Sequence, residues 1–243
     1  MYELRTVTGT LRAADGTPRA GANVRILRET AVADGDAFPP SAVAFYTDAL
    51  GGVPSGSQSV TVPAGANACI LFTGFWNSSW QLSSASLGGN AFTSEVGSLN
   101  ASYQMSEAWV LKAPPTGSQT FAWAWNGDMS GADGPIIALV FLQNITSDAD
   151  ITRGSAANAG SSFAQTAAFA TDANDLCICG CSTYGDGSVA GGGQTAVFNS
   201  GDYRGQYLLI GTKAGAAGTT TMQGTGTAPS VVAVSVKGSA AGG

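Results

Sequence analysis

The stretch Pro135-Ile136-Ile137-Ala138-Leu139-Val140-Phe141-Leu142-Gln143 is the most apolar run of the chain. Asp133-Gly134 precedes it and Asn144 follows it, and residues of these types commonly form turns. A short apolar run between turn residues is typical of a strand that is buried on both faces. We therefore predict that 135–143 is a central strand of a β-sheet.

The remainder of the chain also has the pattern of strands rather than helices. Apolar residues at helical spacing are never sustained over three turns. In Phe121-Ala122-Trp123-Ala124-Trp125, three large rings alternate with alanine, which predicts a strand with one face packed in a core. Turn sequences such as Gly88-Gly89-Asn90 and Pro114-Pro115-Thr116-Gly117 separate about ten short strands of this kind. The pattern predicts an all-β protein whose main part is an antiparallel two-sheet β-sandwich.

Changes in composition divide the chain into four predicted segments. They are a small N-terminal β module (1–53), a Pro-, Gly- and Ser-containing linker (54–58), the β-sandwich body (59–238) and a frayed C-terminus (239–243). The module should contain strands at 4–11, 23–27 and 43–47, too few to bury a large core alone. Two glycine-rich segments of the body, 185–193 and 214–228, are predicted to be surface loops.

The N-terminal module carries a first resemblance. Asp15-Gly16-Thr17-Pro18-Arg19-Ala20-Gly21-Ala22-Asn23-Val24 is followed later by Thr47-Asp48-Ala49-Leu50-Gly51. These turn motifs resemble an Ig-like β module found in carboxypeptidase regulatory-like folds and at the N-terminus of bacteriophage tail-fibre proteins. The resemblance covers about fifty residues and implies an Ig-like fold that attaches the rest of the chain.

The body carries a second resemblance. Its opening, Val62-Pro63-Ala64-Gly65-Ala66-Asn67, and the turn Pro114-Pro115-Thr116-Gly117 resemble those of a jelly-roll-like sandwich in phage virion proteins and bacterial surface proteins. The resemblance implies a surface-exposed role, and it supplies no shared catalytic residues.

Composition excludes several classes of function. The chain has 243 residues, no histidine and a net charge of −6. Without histidine there is no histidine-dependent triad and no His-ligated zinc site, and an acidic chain is a poor partner for nucleic acid. No apolar run reaches the roughly 18 residues of a membrane helix, and the start of the chain lacks the build of a signal peptide. We therefore predict a protein that is not an enzyme, has no cofactor and is not inserted in a membrane.

Half of the ten basic residues lie within the first thirty positions. They are Arg5, Arg12, Arg19, Arg25 and Arg28. A basic head on an acidic body suggests docking on an acidic partner. The alternative is that these charges protect strand edges.

Three of the four cysteines form the sequence Cys177-Ile178-Cys179-Gly180-Cys181. On a strand, alternation places the three thiols on one face, where they do not converge as metal ligands do. We interpret them as small buried apolar residues without metal. A disulfide between Cys69 and this strand is left open.

Two tryptophans lie in the polar context Trp76-Asn77-Ser78-Ser79-Trp80. Trp76 and Trp80 could stack on sugar rings, with Asn77 supplying hydrogen bonds. The alternative is that at least one of the two tryptophans closes the end of the core. Clustered aspartates, such as Asp172 and Asp175, could bind calcium or could be ordinary turn residues.

These features together favour a structural protein of a bacteriophage virion. The leading hypothesis is a tail fibre or receptor-binding appendage that docks by its N-terminus on other virion proteins and displays the β-sandwich to a host surface glycan. A homo-oligomer is expected, with a trimer favoured. The alternatives are a capsid decoration or head-fibre protein, a secreted bacterial carbohydrate-binding module and, least supported, an enzyme with a carboxylate pair.

Overall fold

A computed structural model describes residues 41–49, 55–76, 81–99, 104–126, 135–143, 145, 152–157, 164–173, 175–201 and 205–237. These ranges contain fifteen strands and no helix. The strands are β1 (Ser41–Ala49), β2 (Ser55–Val62), β3 (Ala68–Trp76), β4 (Leu82–Leu87), β5 (Asn90–Ala91), β6 (Thr93–Leu99), β7 (Gln104–Lys112), β8 (Gly117–Trp125), β9 (Ile136–Gln143), β10 (Thr152–Ala157), β11 (Ala164–Thr171), β12 (Asp175–Ser188), β13 (Thr195–Asn199), β14 (Gln206–Ala214) and β15 (Gly218–Lys237). The protein is therefore all-β, as predicted.

The strands form three antiparallel sheets. The middle sheet has the order β1-β9-β3-β7-β6, and a four-stranded sheet has the order β2-β8-β4-β5. The six-stranded sheet has the order β10-β15-β12-β14-β13, with β11 also paired to β15. The prediction of two sheets is thus corrected to three. The alternation of apolar residues shows that a segment is a strand, but it does not show which sheet the strand joins.

The three central strands of the middle sheet, β9, β3 and β7, are buried on both faces, and this explains their apolar sequences. One face packs on the four-stranded sheet in a core that includes Leu71, Trp109, Phe121 and Leu139. We call this core the first layer. The opposite face packs on the six-stranded sheet in a second layer, formed by a separate group of side chains. That group contains Ile70, Phe72, Val140, Ile178, Leu208 and Val232.

The predicted central strand is confirmed as β9. It lies between β1 and β3 in the middle sheet, and its side chains from Ile136 to Leu142 are buried. Successive residues alternate between the first and second layers, because neighbouring side chains on a strand point to opposite faces. A continuous apolar run is what two buried faces require.

A two-stranded ribbon covers the outer face of the six-stranded sheet. It consists of β11 and residues 218–225 of β15, which pair with each other. Ala167 and Met222 of the ribbon pack on Cys177, Cys179 and Cys181 of β12. We call this packing the third layer. The prediction of a surface loop at 214–228 is wrong for most of that segment, because these small residues form a strand that lies closely on β12.

The predicted linker at 54–58 is also corrected. Ser55–Val62 is strand β2, in which Ser55 pairs with Ala124 and Gln58 pairs with Phe121. A Cβ atom on Gly56 would lie 2.6 Å from Cζ2 of Trp123, so this glycine permits the indole to lie against the backbone. The glycine is explained by its close packing on Trp123, and the serines lie on the exposed face of the strand. Neither residue type indicates a flexible linker here.

The domain boundary predicted after residue 53 is misplaced, because one strand that precedes it belongs to the body. The strand expected at 43–47 lies within β1, which pairs with β9 along its length. It is therefore an edge strand of the middle sheet. The rest of the predicted N-terminal module, including its five arginines, lies outside the described residues, as does the C-terminal segment 239–243.

Candidate functional site

The candidate site lies where the second layer ends. Trp76 is the last residue of β3 and pairs with Gln104, the first residue of β7. On the six-stranded sheet, Tyr184 of β12 pairs with Gln206, the first residue of β14. Because directly paired residues project from the same side of a sheet, each sheet contributes one aromatic residue and one glutamine here. We call these four residues the aromatic end.

The two aromatic residues contact each other across the sheets. The ring centroids of Trp76 and Tyr184 are 5.3 Å apart, with planes inclined at 60°. Trp76 is half-buried, whereas Tyr184 is 44% exposed, which is a large exposure for an aromatic side chain. Of the predicted glycan residues, Trp76 is therefore placed at the edge of the core, and Trp80 and Asn77 lie outside the described residues.

A buried polar layer lies directly beneath the two rings. Gln104 Nε2 donates to Gln206 Oε1 at 2.8 Å and also to the Ser182 hydroxyl. The Ser106 hydroxyl donates to the Ser230 carbonyl at 2.8 Å and accepts from the Ser182 amide at 3.1 Å. All of these side chains are buried and neutral. The layer fixes the register of the two sheets without placing a charge at the site.

Gln206 retains one donor in this layer. Its Nε2 atom is buried and has no hydrogen-bond partner, although its Oε1 accepts from Gln104. A buried amide donor of this kind is costly unless it meets an acceptor. The aromatic end therefore combines an exposed aromatic residue with a buried, uncharged polar layer that supports it.

Tyr184 was not predicted as a site residue. It lies in the sequence Ser182-Thr183-Tyr184-Gly185-Asp186, where the strand pattern gives way to glycine. The structure continues β12 to Ser188, so Tyr184 is a strand residue with a defined direction. An aromatic residue beside glycine was the available signal.

The other aromatic candidates belong to the core. Phe121, Trp123 and Trp125 are buried in the first layer, as the alternating pattern predicted. The rings of Phe121 and Trp123 stack at 5.5 Å, and Trp125 meets Phe75 edge-on at 5.1 Å. These rings are inaccessible to a ligand in this structure.

The cysteine prediction is confirmed with respect to burial. Cys177, Cys179 and Cys181 are free, buried and on one face of β12 in the third layer. Cys69 is in the first layer, on the far side of the middle sheet. These positions exclude the disulfide that the sequence left open. Burial raises the pKa of Cys179 to about 12 and also raises the pKa of Cys69, Cys177 and Cys181.

We expect none of the four thiols to react with a thiol reagent at pH 8 in the native protein. The reactive species is the thiolate, and burial disfavours it at all four positions. In denaturant, all four should react. The measurement is a colorimetric thiol count with and without guanidinium. Rapid modification of Cys177, Cys179 or Cys181 in the folded protein would contradict their placement.

Replacing Cys177, Cys179 and Cys181 together by alanine should reduce stability by about 1 kcal/mol for each lost thiol, because buried contacts disappear. The urea midpoint measures this. Elemental analysis of the unmodified protein tests the metal-free prediction separately, and stoichiometric zinc or iron would overturn it.

The aspartates predicted as alternative calcium ligands have structural roles where they are described. Asp175 Oδ2 accepts hydrogen bonds from the Asp172 amide at 2.9 Å and the Ser235 hydroxyl at 2.8 Å. Asp172 forms an ion pair with Lys237 at 2.8 Å. Within the described ranges, no group of three His, Cys, Asp or Glu side chains is placed to hold a metal ion.

One further ionisable side chain is buried, in the first layer. Glu107 is 5% exposed, and burial raises its pKa from 4.5 to about 7, although hydrogen bonds from Leu82 and Thr73 oppose the shift. The apolar run that follows Glu107 predicts a strand at 108–113, which would begin after this residue. Glu107 falls in the same every-second-residue series as Met105, Trp109 and Leu111, and this spacing indicates that its side chain faces the core.

The chain matches no protein-family model, and neither a curated protein nor a solved structure was found to be similar to it. The described ranges also hold no helix with the length and apolar character that a membrane crossing requires.

Proposed function

We propose that this protein is a non-catalytic structural protein of a bacteriophage particle that attaches to an uncharged glycan of the host surface through the aromatic end. The observation that carries the proposal is the exposure of Tyr184, whose ring lies against Trp76 at the end of the second layer. An aromatic face on a rigid support is suited to stacking on a sugar ring.

The polar surroundings support the choice of a neutral sugar. The hydrogen-bonding groups beneath the rings are amides and hydroxyls, including the Gln206 Nε2 donor. These groups are buried, so they support the rings without offering a charge to the ligand, and the sugar is contacted by the exposed aromatic surface. A stacked ring contributes on the order of 1 kcal/mol beyond plain burial, so attachment depends on several copies displayed together.

The virion assignment rests on the two resemblances in the sequence. The N-terminal arginines would dock on acidic groups of other virion proteins, and the three-sheet body would project outward. In this proposal the protein acts as a homo-oligomer at a tail fibre or receptor-binding appendage. A capsid decoration role would place the same chain on the head and would need no host ligand.

The glycan proposal is tested with whole cells. We expect the purified oligomer to bind host cells and periodate oxidation of the cells to abolish that binding, because periodate cleaves sugar diols. Protease treatment of the cells serves as the matched control and should leave binding intact. Binding that survives periodate but not protease would replace the glycan by a protein receptor.

The docking proposal is tested in the full chain by changing Arg5, Arg12, Arg19, Arg25 and Arg28 to glutamine. We expect particles assembled with this variant to lose most of the protein, because the charge attraction is removed, while the purified variant still binds cells. Electron microscopy with a labelled antibody locates the chain on the particle. Unchanged incorporation would contradict docking through these arginines, and a label on the head would favour the decoration role.

A further inference from the structure

Glu107 occupies an unusual position in the first layer. It lies on β7 between Met105 and Trp109 on the face that packs on the four-stranded sheet. Among the described residues of this layer, the rest of the packed side chains are mainly apolar. A carboxyl group in such surroundings is retained only where it makes specific bonds.

One carboxyl oxygen of Glu107 connects two sheets. Its Oε2 atom accepts a hydrogen bond from the Thr73 hydroxyl at 3.2 Å and from the Leu82 amide at 3.2 Å. Thr73 is its cross-strand partner in the middle sheet, whereas Leu82 is the first residue of β4 in the four-stranded sheet. The carboxyl therefore ties the beginning of β4 to the middle sheet.

The same end of the four-stranded sheet has a second tie. The Gln81 amide donates to Asn126 Oδ1 at 2.8 Å, and the Asn126 amide donates to the Gln81 carbonyl at 3.0 Å. These two bonds lie within the four-stranded sheet. The Glu107 bond is thus distinct, because it crosses between the sheets.

The other described groups around Glu107 do not titrate near neutrality. On β3 the polar groups on this face are the Thr73 hydroxyl and the Cys69 thiol, and on β2 the amide of Gln58 faces the same layer. Cys69 pairs with Leu111, four residues along β7 from Glu107, and its pKa is raised by burial. On β6, Gly97 pairs with Glu107, and the side chain of Glu95 lies outside the described residues. No described cation faces the carboxyl.

We propose that Glu107 is a pH-sensitive latch that holds the four-stranded sheet on the middle sheet. Ionisation strengthens these two hydrogen bonds, but it also places a charge in an apolar layer away from water, and the effect of burial is the larger of the two. The folded state, in which the latch holds the two sheets together, is therefore more stable with the neutral carboxyl than with the carboxylate. A folded-state pKa above the ordinary value gives stability that is fully present below about pH 4.5 and is lost as pH rises through about 7.

The test compares the full chain with Glu107→Gln in urea unfolding at pH 5, 6, 7 and 8. The amide keeps a carbonyl acceptor for Leu82 and Thr73 but does not ionise. We expect the folding equilibrium constant of the unmodified protein to fall on the order of a hundredfold between pH 5 and 8 relative to the variant. Asp186→Asn, which removes an exposed carboxylate, is the matched control and should follow the unmodified protein.

A parallel fall in the unmodified protein and Glu107→Gln would overturn the latch. If Glu107→Gln does not fold, the pH titration of each glutamate carboxyl is measured by carbon-13 NMR of the glutamate-labelled protein. The Thr73→Val variant then identifies which resonance belongs to Glu107. We expect one carboxyl to titrate near pH 7, and to titrate higher in Thr73→Val because a hydrogen bond to the anion is lost. Titration of all glutamates near 4.5 would refute the proposal. Neither outcome depends on glycan binding.

Discussion

Replacing Phe72 by alanine is expected to lower the free energy of unfolding by about 3–5 kcal/mol. Phe72 is fully buried in the second layer, and its partners on the neighbouring strands are Ala108 and Ala138. The ring therefore fills a space that its small neighbours leave open. Across the layer it meets the backbone of Gly180, on which a Cβ atom would lie 2.6 Å from Cδ1 of Phe72. The midpoint of urea unfolding measures the loss.

A double-mutant cycle tests whether this contact joins the two sheets. Gly180→Ala alone should cost about 1–3 kcal/mol, because the new methyl group collides with the ring. In the Phe72→Ala background the collision with the ring disappears, so the same change should cost much less. Additive effects would show that Phe72 and Gly180 do not pack on each other.

The second large effect is expected for Gly224→Val in the ribbon. A Cβ atom on Gly224 would overlap the Cys181 thiol and lie 2.8 Å from its Cβ. We expect a loss of about 1–3 kcal/mol or more, although valine favours strands where space permits. The ribbon should separate from β12, so Cys181 should then react with a thiol reagent under native conditions.

Thr221→Val is the matched control for this change. Thr221 lies in the same part of β15 but is exposed, so the substitution should alter stability by no more than about 0.5 kcal/mol. A Gly224→Val protein with unchanged stability and unreactive thiols would contradict the close packing of the ribbon on the six-stranded sheet.

The sequence was sufficient to predict those features that depend on local alternation. The central strand at 136–143, the buried rings of Phe121 and Trp123, and the shared face of Cys179 and Cys181 all follow from a period of two. Each of these predictions requires only that the strand have a buried face. It does not require knowledge of the strand against which that face packs.

Features that depend on partners distant in the chain could not be predicted in this way. The segment 214–228 resembles a loop because glycine and threonine dominate it, yet it pairs with β11 some fifty positions earlier. Glycine there provides room for Cys181 rather than flexibility. The linker at 54–58 was mistaken for the same reason, since the need for Gly56 arises from Trp123.

The candidate site was predicted only in part. Trp76 was identified from its polar neighbours, but its partner Tyr184 is more than one hundred positions away and on another sheet. Glu107 was overlooked because one carboxylate beside an apolar run resembles the end of a strand. Its buried position becomes evident only when β4 supplies the Leu82 amide.

The central claim is that the ring of Tyr184 contacts a host glycan, and whole-cell binding of three purified proteins tests it most directly. The full chain is compared with Tyr184→Phe, which keeps the ring, and Tyr184→Ala, which removes it, after all three are shown to have the same urea midpoint and oligomeric state. We predict that Tyr184→Phe binds host cells about as well as the unmodified protein. Tyr184→Ala should lose at least about tenfold in apparent affinity, because a small loss at each site is multiplied over several copies. Equal binding by folded Tyr184→Ala, or no binding by the unmodified oligomer, would contradict the account.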